Sequence, residues 1–290
     1  MGTHNHGLRE LVFVSAIRHR VKQAAAVDAK IFRLALWARA ALSLRVTGAF
    51  LNAIGILLGG FLGLALRKPP SLRAQVFFRS ALGLSAVFLG LRLVWLSLGG
   101  TFLSVLGQSL VALLAVTAGF WIGRLLRLQK WSNRLGRRAG NAIAPAQTNV
   151  PSNAGDGFAA CTMLFCAAPL GWLGAVTDGL SGYFWLLAVK AVMDALAMTG
   201  FVKIFRWQAA LSAFPVFVLL GGMTLACRLY AAPFLDSHSL HEHDLIHSVN
   251  AAAGLITCVV ALVIFEVRKV ELANFLPCLA IAPLFAWLFR

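Results

Sequence analysis

The sequence predicts an all-α, polytopic integral membrane protein with about eight transmembrane helices. Sixty per cent of its 290 residues are apolar and only 12% charged, with a mean hydropathy of +0.81; soluble domains run at about 45–50% apolar and about 25% charged. The apolar residues form unbroken runs of about 20, the length of a bilayer-crossing helix, instead of being sorted at period 3.6 or 2 towards a single core. Runs such as VALLAVTAGFWIG and LITCVVALVIF also lack the period-two alternation of a membrane β-barrel.

Eight segments have the length and composition to cross: residues 46–66, 76–98, 102–123, 158–176, 183–202, 209–231, 248–265 and 272–289, the last two at the short limit. Basic residues mark one side of them. Arg67, Lys68, Arg73 and Arg79 follow the first segment. Arg124, Arg127, Lys130, Arg134, Arg137 and Arg138 follow the third, Lys203 and Arg206 the fifth, and Arg268 and Lys269 the seventh. The alternate connections at 99–101, 177–182 and 232–247 hold no lysine or arginine. The positive-inside rule puts the first group in the cytoplasm and both ends of the 46–290 transmembrane domain outside.

That domain divides into three helices over 46–123, a cytoplasmic linker over 124–157, polar and rich in Pro, Gly and Asn from residue 140, and five helices over 158–289. The first and last three segments have opposite orientations, which is compatible with an inverted repeat. Residues 1–45 carry eight basic residues where the topology requires an external N-terminus. Three readings remain open: a basic interfacial helix over 31–44, an additional crossing, or a natural start near Val46.

The net charge of +16 is spread over short clusters between apolar runs, so it orients the chain in a bilayer and does not mark a nucleic-acid-binding protein. All five cysteines fall inside proposed spans without a CxxC pair, which predicts packing residues and not a disulfide framework or zinc finger. No cofactor is expected.

The residues that could carry chemistry are few. Lys190 and Asp194 are four apart in the fifth segment and share a helix face about 6 Å apart along the axis. An ionised side chain at that depth costs about 2.5–3.5 kcal/mol unless paired or wetted. The pair is therefore either a structural ion pair or a midplane ion or proton site. Asn52 puts an amide in hydrocarbon and needs a partner. It either bonds across helices for packing or lines a polar path with Asn274. Gly55, Gly59 and Gly63 form a flat face, suited to close helix packing or to a homo-oligomer. Pro169, Gly171 and Gly174, followed by Asp178, interrupt the fourth segment, and Pro215, Gly221 and Gly222 the sixth; broken helices of this kind build transporter sites. In the external loop HSLHEHDLIH, His243, His247 and Asp244 have a spacing that could hold a zinc or nickel ion if the loop is helical; a solvated polar loop is the alternative.

Taken in order, TGAFLNAIGILLGGFLGLAL, MLFCAAPLGWLGAVTDGLSG, VKAVMDALA, LSAFPV and VRKVELANFLPCLAIAPL resemble the YdfK-like bacterial inner-membrane family, domain of unknown function 554, over residues 46–289. The resemblance implies a multi-pass inner-membrane protein that begins near Val46. The chain departs from the pattern at Arg124 and Arg127, where the family tends to be acidic, and at Leu220, where it tends to have glutamine.

The leading expectation is a transporter or channel-like carrier of a small ion or solute, with the bilayer as its other partner. A membrane scaffold or assembly subunit is the alternative. A membrane-embedded enzyme is disfavoured because no HExxH or GxSxG constellation is present.

Overall fold

The computed structural model describes residues 46–66, 71–147, 154–236, 240–268 and 270–289. Among these residues the chain is helical and contains no strand: α1 (Thr47–Ala65), α2 (Leu72–Ser97), α3 (Phe102–Leu125), α4 (Leu128–Gln147), α5 (Ala154–Ala167), α6 (Pro169–Ser181), α7 (Trp185–Phe205), α8 (Ala213–Asp236), α9 (Leu240–Ile264) and α10 (Cys278–Leu288). Short 3-10 turns at Arg206–Ser212 and Leu272–Phe275 precede α8 and α10.

Local chemistry sets the ends. The Ser71 hydroxyl accepts from the Ala74 amide at 3.3 Å to start α2, and the Thr101 hydroxyl accepts from Ser104 at 3.4 Å to start α3. Gly182 closes α6 at φ 72°, donating to the Asp178 carbonyl at 2.9 Å, a left-handed seat for which glycine has no Cβ penalty. On the basic side, Arg127, Arg206 and Glu266 make the turns at positive φ without glycine.

Five helical stretches are long and apolar enough to cross a membrane, or six if α5 and α6, bent by 59° at their break, count as one. One of the five, Trp185–Ala231, is 47 residues long, about 70 Å at helical rise and twice a hydrocarbon core. Packing against α1 resolves it into two helices of opposite direction. Gly55, Gly59 and Gly63 of α1 meet Ala191, Ala195 and Thr199 of α7 in parallel order. On α8, Gly221 lies by Val46, and Ala210 of the preceding turn by Gly60, in antiparallel order. α1 is thus wedged between α7 and α8. The other registers are antiparallel: Gly83 by Phe265 and Gly90 by Gly254 for α2 on α9, Gly119 by Cys278 and Gly123 by Asn274 for α3 on α10, and Gly171 by Lys190 and Gly174 by Leu187 for α6 on α7.

The helices surround three apolar clusters, the smallest of them Val176, Leu180, Ala231, Ile246 and Val249 between α6, α8 and α9; the other two are larger. Ile56, Phe165, Leu187, Met198, Val202 and Leu220 form one, between α1, α5, α7 and α8. Leu89, Leu93, Val116, Ile256 and Ile281 form the other, between α2, α3, α9 and α10, completed by Leu173 of α6 and Leu186 of α7. The outer surface is apolar too, with Phe61, Leu84, Phe88, Leu103 and Phe214 all exposed. A surface like this faces lipid, not water.

Three sequence expectations need correction. Residues 128–147, taken as linker, are helix α4. Its Leu128, Ser132, Leu135, Ala139 and Ile143 recur every three or four residues and are buried or half-buried, an amphipathic period that the polar composition conceals. The fourth segment is longer, over 154–181, and broken. The last contains a 3-10 turn and an 11-residue helix instead of one uninterrupted span, because Pro277 caps the start of α10 and lacks an N–H to extend it backwards.

Candidate functional site

Lys190 and Asp194 are 1% and 6% exposed and form an ion pair across one turn of α7. Asp194 is the tenth of the 21 residues of α7, at mid-length. Neighbouring elements are shaped to accept the lysine. A Cβ on Gly171 of α6 would lie 2.7 Å from Lys190 Cε and 3.2 Å from a Leu220 methyl, so glycine is required where the lysine stem crosses α6. Lys190 Nζ lies 5.7 Å from the centroid of the Phe165 ring of α5, within cation–π range.

Beside the pair the span breaks. Ala168 is extended (φ −65°, ψ 118°) and Pro169 opens α6. Proline has no N–H, so the Phe165 carbonyl loses its i+4 donor. The next carbonyl, of Cys166, accepts from the Trp172 indole at 2.9 Å. Asn52 of α1 completes the group. It is fully buried and faces Asp194, and neither its amide nitrogen nor its oxygen has a partner at hydrogen-bond distance.

The structure brings together Lys190, Asp194 and Asn52, but not the other two candidates, Asp178 and Asn274. Asp178, buried in α6, accepts from the Gly48 amide at 3.1 Å, satisfying a free N–H in the first turn of α1. Asn274 sits in the 3-10 turn that packs on α3 and α4, whereas α1 packs on α6, α7 and α8. Its amide oxygen accepts from the Gln129 backbone at 3.0 Å and its amide nitrogen donates to Glu271 at 2.7 Å, while the Gln129 side chain accepts from the Ala273 amide at 3.1 Å. Asn274 therefore locks α4 onto the turn before α10 and does not share a path with Asn52.

The helix 1 glycine face is filled within the chain by α7. In the histidine loop, the backbone is helical from Leu240, but the His243 side chain lies outside the described residues. His247 and Asp244 are half-buried and line a cavity of about 360 Å³ with Ser97, Ser104 and Gln108. No group of three metal-ligating side chains occurs among the described residues. The cysteines are all free thiols, buried or half-buried.

Phe165, Gly171 and Leu220 were missed as neighbours of the pair. The only sequence signal was Pro169, which marks where α5 must stop.

Lipid-facing helices around a buried charge pair, an unpaired amide and a broken span define a polytopic α-helical membrane protein. The family model for a protein of unknown function, DUF554, matches residues 47–287, and the chain belongs to that family. Similar proteins include "Uncharacterized protein YqgA" of Escherichia coli (strain K12), 29% identical over 243 residues, 82% of this chain and 94% of that one. The "Uncharacterized membrane protein YdfK" of Bacillus subtilis (strain 168) is 23% identical over 236 residues, 81% and 93% of the two chains. No solved structure matches.

Proposed function

We propose that this chain is a carrier of a small ion or solute in the bacterial inner membrane, that it crosses the bilayer eight times, and that it is not an enzyme. The observation behind this reading is the buried Lys190–Asp194 pair, with unpartnered Asn52 at its side and the α5–α6 break against it. A purely structural pair needs neither an orphaned amide nor a broken helix, each of which costs stability where it stands. Midplane charges next to discontinuous helices are how many carriers hold a substrate. Eight crossings follow if α7 and α8 count separately, α5 and α6 count together and the short segment 272–288 also spans.

Purified protein in liposomes, screened for flux of small ions and solutes, tests the reading. Lys190→Met/Asp194→Leu removes both charges and leaves none uncompensated, so this variant is expected to fold and to lose flux to the background of empty liposomes. Full flux from the folded double variant would remove the pair from the mechanism.

A further inference from the structure

The place opposite the Asp194 carboxylate is held by a cation that the chain carries itself, the Lys190 ammonium. Next to it, Asn52 presents a fully buried carboxamide that faces the Asp194 carboxylate and has no partner at hydrogen-bond distance. Buried amides are paired in nearly all structures because desolvation is otherwise uncompensated, so this one points to a ligand. Its oxygen and the Asp194 carboxylate are hard donors of the kind that bind alkali and alkaline-earth cations. The Phe165 carbonyl lacks its i+4 donor because Pro169 has no N–H, and it belongs to the residue whose ring faces Lys190. A resting place for a displaced ammonium is also present, because Lys190 Nζ is already within 5.7 Å of the Phe165 ring centroid, at the carboxyl end of α5 where the helix dipole favours positive charge.

We propose that Asp194 and Asn52 form a binding site for a monovalent metal cation of the sodium or potassium class, with Lys190 as its tethered competitor. The ion enters as the ammonium moves from Asp194 towards the Phe165 ring and leaves as the ammonium returns. A single carboxylate matches a single positive charge better than a divalent one. An anion would be repelled by the same carboxylate, and a bulky solute has no room while Gly171 and Leu220 pack on the lysine stem. This assignment deepens the carrier reading and rests on it.

Thermal unfolding of the full chain in detergent, in lithium, sodium, potassium or choline chloride at equal ionic strength, tests the site. Wild-type Tm is expected to rise in one of the metal chlorides over choline. Lys190→Met, which removes the competitor, should lower the half-saturating concentration of that cation at least tenfold, and adding Asp194→Asn should abolish the dependence. If Lys190→Met does not fold, Asn52→Asp decides: it keeps Lys190, adds a second carboxylate and should also lower the half-saturating concentration. Identical Tm in all four salts for the variants that fold, or a cation effect that survives Asp194→Asn, overturns the proposal. Flux from wild-type liposomes that is indifferent to the cation would remove this site and keep the carrier. Cation-dependent Tm without any flux would keep the site and remove the carrier.

Discussion

Two buried aspartates in this chain do different work. Asp194 is held by a lysine in the interior of the helix packing, where attraction within the pair has to offset the desolvation of two charges. Asp178 has a backbone partner, the Gly48 amide, one of the N–H groups that the first turn of α1 leaves without an intrahelical acceptor. A charged acceptor on a backbone donor contributes about 1.5–3 kcal/mol. Asp178→Ala is therefore expected to destabilise the protein by about 1–3 kcal/mol and to leave flux per folded molecule unchanged, as read by unfolding in detergent alongside liposome flux. Loss of flux at full folding would move Asp178 into the transport path. Sequence alone singled out both aspartates, Asn52 and Asn274, since each is a polar residue in or near an apolar run. Their oddity was legible, but only Asp194 had a legible partner, the lysine one turn away; Gly48 and Gln129, the partners of Asp178 and Asn274, come from distant parts of the chain, and nothing in the spacing of an isolated polar residue encodes which helix it will face.

Among elements, the small residues decide which helices approach. The four-residue spacing of Gly55, Gly59 and Gly63 predicted a flat face on α1, and the structure supplies its counterpart, Ala191, Ala195 and Thr199 at the same spacing on α7. That match could be read only afterwards, because helices of this membrane protein share similar small-residue content and lipid gives no hydrophobic preference between them. A Cβ at Gly59 would overlap the backbone of Ala195, which cannot rotate away as a side chain could. Gly107, on α3, has nothing within 4 Å of its added Cβ. Gly59→Leu should thus part α1 from α7 and cost more than about 3 kcal/mol, at the overpacking extreme, while Gly107→Leu stays within about 1 kcal/mol of wild type. Equal Tm for the two variants would show that the α1–α7 seam does not hold the fold. α4 is the opposite case, an element that composition hid. Its Gly, Asn and Pro content reads as linker, whereas the repeat of its buried face reads as helix, and the period proved the better guide.

Across the whole molecule, helix direction, charge and aromatic placement agree on one orientation. The registers make α1 and α7 parallel and set α6 and α8 against them, α2 against α9, and α3 against α10. With the short connection at 98–101 reversing α2 into α3, the ends of α1, α3, α7 and α9 share a side with the starts of α2, α5, α8 and α10, and α4 lies on that side as well. Arg73, Arg124, Lys130, Arg134, Lys203 and Arg268 are all found there. Exposed tryptophans occur at both ends: Trp121, Trp131 and Trp207 on the basic side, and Trp95, Trp185 and Trp287 on the other, as interfacial belts require. The positive-inside rule then predicts that the basic side faces the cytoplasm. Reporters of compartment inserted within Leu128–Gln147 should report cytoplasm, and those at Gly99 or Gly182 the exterior. Both glycines lie in connections without basic residues, so charge and helix direction give the same answer at each. A reporter at Gly182 on the cytoplasmic side, with the one at Gly99 outside, would break the parallel register of α1 and α7, whose starts lie together where Gly48 meets Leu187, and would overturn this orientation.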